Sequence, residues 1–310
     1  MQRIDLLVTE YKRFLKARGQ SQYTLKNVKH AMKKFTCFLT DTGIERIEDI
    51  NREVIEDYQQ ALCYNICKSG HPLAIRTQAQ LVCVVKGFTK FLKERHCFVV
   101  DPGKDVLLPK KPKRLPRIIL TRKEVQAIIL TPNIFTNSGY RDRVILELLY
   151  DTAIRRAELS AIRIEHMDPE GGYIHIHGKG NKQRVVPVSK RVCELTNNYI
   201  KMVRSQFIKR SDNGFLILNR FGNRMYPNGI WAVVKRHARQ AGIDKNVSTH
   251  TFRHTCATHM MKNGAPVRHI QELLGHESLE STQIYTRVTI NDLKAVHMKY
   301  HPGNHFRLKN

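Results

Sequence analysis

The chain has 310 residues, 41% of them hydrophobic, which supplies packed cores and argues against wholesale disorder. Lys and Arg number 53 against 27 Asp and Glu, a net charge of +26, and the excess runs along the whole chain rather than sitting in one tail. Each phosphate neutralised by such a surface releases counterions and adds affinity, so the partner expected from charge is a nucleic acid.

The start, Met1 to Glu10, carries no apolar h-region, and no apolar run approaches the roughly 18 residues of a spanning helix. Neither a secretory signal nor a membrane partner is expected, and the compartment read is the cytoplasm. The length predicts two domains. Seven cysteines, an odd number without a Cys-x-x-Cys pair, read as reduced thiols. Cys63, Cys67 and His71 fall four apart, but with no fourth ligand nearby they read as a helix stripe rather than a zinc site.

Apolar residues at helical spacing predict a bundle over the first hundred positions. Residues 3–17 put Leu7, Tyr11, Phe14 and Leu15 on one face, with Gly19 as a stop. Ser21 to Leu39 repeats the pattern, Asn51 caps a third helix through Cys67, and Leu73 to Arg95 supplies a fourth. Leu108 to Arg117 then holds three prolines and five basic residues without an acid, an extended linker. The domains read as 1–105, a basic linker 106–118, and 119–310.

The second domain opens on a capping box, Thr121-x-x-Glu124. A long helix near Arg141–Tyr150 and a short one near Arg156–Ile162 follow. Tyr173–His177 and Arg184–Val188 alternate strictly, and the glycine-rich Gly178–Lys182 between them reads as the turn of a β-hairpin. Helices are expected near 189–208, 227–241, Thr251–Lys262, Pro266–Leu274 and Asn291–Tyr300. The fold class is mainly α with a small antiparallel sheet (α+β).

Three stretches could carry chemistry. In His250-Thr-Phe-Arg253-His254 the first His and the Arg are three apart where a helix begins, so both project from its first turn toward a natural anion site. Leu274-Gly275-His276 precedes Tyr285 by nine positions, 285 − 276. Arg155 falls at a break between two apolar helices, with Glu158 three on, and reads as an arginine held inward by that carboxylate. Each alone is a modest signal.

Together, Ala-Ile-Arg155-Arg-Ala-Glu158-Leu, Gly-Lys179-Gly-Asn-Lys-Gln-Arg-Val-Val-Pro, His250-Thr-Phe-Arg253-His, Leu-Leu-Gly-His276 and Gln-Ile-Tyr285-Thr stand in the order that marks tyrosine recombinases. Residues 119–300 resemble the catalytic domain of the Xer group and related integrases, and the N-terminal helices resemble the family's DNA-binding, core-binding domain.

The resemblance implies that Tyr285 attacks a phosphodiester to give a 3′-phosphotyrosine and a free 5′-hydroxyl. Arg155 and Arg253 would clamp the phosphate, His250 relay the proton, His276 donate to phosphate and Lys179 protonate the leaving oxygen. Lys182 is the runner-up for that last role. The bond energy stays in the phosphotyrosine, so no cofactor is implied, neither ATP nor a metal. The implied partner is double-stranded DNA at a specific site, closed around by both domains, with a tetramer on two sites and a second recombinase or accessory protein as further candidates. A type IB topoisomerase and a catalytically idle DNA-binding regulator are the competing readings. Ala153 stands where the family commonly has Gly, a change expected to be tolerated at a negative φ.

Overall fold

The computed structural model describes residues 4–66, 70–110, 118–177, 183–209, 211–275 and 290–305. The chain divides into two compact units, Met1–Leu115 and Pro116–Asn310. Cys67, most of the basic linker, the hairpin turn with Lys179 and Lys182, His276 and Tyr285 lie outside the described residues.

Unit 1 is a four-helix bundle of α1 (Ile4–Ala17), α2 (Gln22–Asp41), α3 (Arg52–Tyr64) and α4 (Ile75–Glu94). Ser21 caps α2 through the Thr24 N–H, and Asn51 caps α3 through the Val54 N–H at 3.0 Å. Helix α3 ends at Tyr64 rather than running to Cys67, because Asn65 turns to extended backbone and Ile66 bridges to Pro72. The other three helices pack on α4, whose Val82, Val85, Phe88 and Leu92 are buried. Gly87 leaves room for Tyr11, since a Cβ there would fall 2.7 Å from the tyrosine oxygen.

Unit 2 is built around α6 (Asn137–Asp151), buried from Arg141 to Asp151. It starts at Asn137, four residues ahead of the expected Arg141, because Thr136 accepts from the Gly139 N–H and caps it there. Two of its buried acids are paired with cations: Asp142 meets Arg141, Arg236 and His237, and Glu147 meets Arg143 and Arg191. Unpaired charges there would cost several kcal/mol each. Around it lie α5 (Arg122–Leu130), opened by the Thr121–Glu124 capping box, and α7 (Arg156–Ala161). Three more helices, α9 (Pro227–Gln240), α10 (Thr249–Lys262) and α11 (Val267–Leu274), complete the surround.

The sheet has three antiparallel strands in the order β1 (Met167–Asp168), β2 (Tyr173–His177), β3 (Gln183–Pro187). The short β1 escaped the sequence pattern because two residues show no alternation. In register, Ile174 opposes Val186 and Ile176 opposes Arg184, which places Arg184 on the inward face. The single helix expected over 189–208 is instead α8 (Lys190–Asn198), a π turn over Tyr199–Val203 and a 3₁₀ turn over Arg204–Phe207. The change of winding accompanies burial of Arg204, which grips Asp212 and the Phe215 carbonyl.

The last helix, α12 (Ile290–Tyr300), packs on its own unit against β3 and α11. His297 Nε2 donates to the Asp151 carbonyl at 2.7 Å and His301 Nε2 to the Tyr150 carbonyl at 3.1 Å, with the two rings stacked at 4.6 Å. Burial drives the His301 imidazole down to about 3, and neighbouring His297 pushes the same way. The folded value lies below the unfolded ~6.5, so this site's stability is present above pH 6.5 and is lost as pH falls toward 3. Between pH 7.5 and 5 the loss is about 2 kcal/mol. Urea unfolding followed through Trp231, the one tryptophan and a unit 2 residue, checks this. His301→Asn should start less stable but lose that part of the pH slope, and an unchanged slope would remove His301 as its source.

Among the described residues, no helix is long and apolar enough to cross a membrane.

Candidate active site

The turn from α6 into α7 is the first wall of the site. Ala153 sits at φ +50°, so the negative φ on which easy tolerance of an alanine was conditional is not the one found. A side chain in the left-handed region costs roughly 1–2 kcal/mol, which gives the family's glycine a physical reason. The strain holds because Ala153 is wholly buried and its carbonyl accepts from Arg253 Nη1 at 2.7 Å.

Two residues on, Arg155 is the N-cap of α7. Glu158 caps it in return, accepting from the Arg155 N–H at 2.8 Å and from its Nη1 at 2.9 Å. The expected grip of this carboxylate on Arg155 is present, but the arginine is not drawn inside: its side chain keeps 42% of its surface while Glu158 keeps 6%. Arg155 Nη2 reaches onward to the Gly275 carbonyl at 3.2 Å.

The second wall is α10. Ser248 caps it by accepting from the Thr251 N–H, which sets His250 in the first turn, at the positive end of the helix. His250 is exposed and Arg253 is 5% exposed. The two residues therefore separate, one at the surface and one inside. Arg253 Nη2 donates to the Leu274 carbonyl. Burial lowers its guanidinium to about 10, and Arg155 and Arg184 push the same way.

Both arginines thus hang from consecutive carbonyls, Leu274 and Gly275, where α11 ends in a left-handed Gly275 at φ +58°. The next residue in the chain is His276. Arg184, not among the sequence candidates, completes the cluster with a bidentate grip on Glu158, 2.9 Å on each oxygen. Burial pushes the Glu158 carboxyl up, but the bonds from Arg184 and Arg155 outweigh it and hold it below the usual range. The signal for Arg184 was present in the alternation of β3, where it shares the inward face with Val186 and so needs an acid. Among the described residues, three guanidiniums against one carboxylate leave two positive charges, an arrangement that suits a phosphodiester.

Asp151, His297 and His301 are the one group of described residues with metal-ligand spacing, their ligating atoms lying within 4.8 Å of one another. One ring nitrogen of each histidine already donates to a main-chain carbonyl, which makes the group the anchor of α12.

Residues 119–291 match the phage integrase family, and residues 8–96 match its N-terminal SAM-like domain. The tyrosine recombinase XerD of Staphylococcus haemolyticus is 33% identical over 300 residues, covering 96% of this chain and 99% of the relative. That of Staphylococcus saprophyticus is 34% identical over the same shares. Among solved structures, a lambda integrase (75–356) dimer bound to a COC′ core site aligns with a TM-score of 0.68 at 16% identity, covering 92% of this chain and 100% of that one. The XerH recombinase bound to difH in a pre-cleavage complex aligns at 0.65 and 19%, covering 93% and 83%. At those identities the likeness speaks for the fold. With a family match across both units and close to full-length relatives, the chain belongs to the phage integrase family, as a Xer-like tyrosine recombinase.

Proposed function

We propose that the chain cuts and rejoins double-stranded DNA at a specific site through a 3′-phosphotyrosine at Tyr285. The observation that carries this is the pair of guanidiniums, Arg155 and Arg253, anchored on consecutive carbonyls of the α11 end. Phosphoryl transfer spreads charge over the non-bridging oxygens, and two fixed forks meet that charge without reorganising.

Tyr285 gives up its proton, with His250 as relay, and its oxygen attacks phosphorus while the P–O5′ bond breaks. Lys179 protonates the departing 5′-oxygen, and His276 donates to the phosphate. In the return step a partner strand's 5′-hydroxyl attacks the phosphotyrosine, the P–O(Tyr285) bond breaks and Tyr285 regains a proton. The bond count is conserved, so the cycle consumes neither ATP nor a metal.

Unit 1 is read as a second DNA-binding element, joined through the basic linker 106–118. A lambda integrase tetramer bound to a Holliday junction shares this fold and supports four protomers on two sites. The working compartment is the cytoplasm, at the nucleoid.

A plasmid carrying two cognate sites tests the reading. Recombinant products are expected in the presence of EDTA and without ATP. Relaxed plasmid without recombinants would make the chain a type IB topoisomerase, and neither product would make it a regulator.

A further inference from the structure

We propose that Arg184 is a positioning residue that saturates the Glu158 carboxylate and thereby keeps Arg155 free to meet the scissile phosphate. This rests on the function proposed above and assigns a part to a residue outside its cast.

A carboxylate offers about four lone-pair sites. Glu158 fills four: the Arg155 N–H on Oε2, Arg155 Nη1 on Oε1, and the two Nη groups of Arg184, one on each oxygen. Arg155 is thereby limited to one side-chain contact with the acid, and its Nη2 is directed to the Gly275 carbonyl at the end of α11. Removal of Arg184 opens a lone pair on each oxygen. Arg155 then closes onto Glu158 in the two-pronged geometry that arginine and carboxylate prefer, and turns from the phosphate.

The packing fits that role. Arg184 opposes Ile176 across the sheet, with 17% of its side chain exposed, so it is tied to β3 rather than reaching for solvent. At Gly275 a Cβ would fall 3.1 Å from the Arg184 Cζ and Nε, which wedges the guanidinium between Glu158 and the α11 end. Arg184 also supplies one of the two net positive charges of the cluster.

The test is a two-residue cycle read as the rate of covalent adduct formation on a nicked duplex, with DNA affinity and melting temperature measured alongside. Arg184→Ala should slow the step about 100-fold, in the range of one lost electrostatic contact, with affinity changed less than about threefold. Adding Glu158→Gln weakens the trap for Arg155, so the double variant should recover at least about tenfold over Arg184→Ala. Should Arg184→Ala fail to fold, Arg184→Lys carries the same comparison, because it keeps the charge and cannot fill both oxygens. A double variant no faster than the single one would overturn the proposal, as would wild-type rates in Arg184→Ala. Absence of adduct with the unmodified protein would instead sink the recombinase chemistry itself.

Discussion

Tyr285→Phe is expected to abolish the covalent protein–DNA adduct on nicked suicide substrates while leaving DNA affinity within about threefold of wild type. Phenylalanine has no oxygen to form the phosphotyrosine ester, so the loss is complete rather than graded. Affinity survives because it comes from many phosphate contacts by a chain with 53 basic and 27 acidic residues, each contact steepening the log–log salt dependence by about 0.9. Two other tyrosines of unit 2, Tyr150 and Tyr199, make poor substitutes. Tyr150 is buried on α6 with its hydroxyl on His259 Nδ1 at 2.8 Å, and burial pushes its ionisation well above the ordinary range. Tyr199 is buried in the π turn and pushed up to about 12 by burial. An ordinary tyrosine near 10 is about 0.1% ionised at pH 7, and these are less so. Adduct persisting in the phenylalanine variant would show that the nucleophile is another residue.

What the sequence disclosed follows from how local each signal was. The capping residues Ser21, Asn51 and Thr121 act within three positions, and the structure uses Asn51 and Thr121 as read and has Ser21 capping α2. Arg155 and Glu158 were legible as a pair for the same reason, being one turn apart. Long-range terms were not legible. Arg184 lies 26 residues from Glu158, and while the alternation of β3 turns it inward, nothing local names the acid it meets. The burial of Arg253 depends on carbonyls 100 residues upstream and 21 downstream, which no helical spacing conveys. Ala153 left the geometry of its turn open, since its side chain gives no hint that the α6–α7 turn demands a positive φ. The break of α8 at Tyr199 likewise answers to Asp212 and Phe215, which grip Arg204 from outside the helix.

Arg253→Met is expected to separate catalysis from stability. Adduct formation should fall about 1,000-fold, the scale of a lost transition-state guanidinium. Stability should fall by no more than about 1 kcal/mol, and a rise is within reach. The reason is the environment of the charge. Among the described residues no carboxylate bonds to Arg253: its hydrogen bonds end on the carbonyls of Ala153 and Leu274, and Arg155 and Arg184 repel it while Glu158 attracts it through space. Its guanidinium falls from 12.5 to about 10, chiefly through burial. For a cation whose folded value is depressed, the fold disfavours the charged form, and at pH 7 that penalty is fully present at about 3 kcal/mol. Methionine removes the penalty and fills the space, while two carbonyls lose a donor at about 1 kcal/mol each or more. The terms nearly cancel. Loss of a buried charge that had a partner would cost about 3–5 kcal/mol, so a destabilisation of that size on urea unfolding would mean that Arg253 serves the fold. A near-neutral result with the activity gone would mark Arg253 as a charge the protein keeps for the phosphate, its cost offset by packing elsewhere in unit 2.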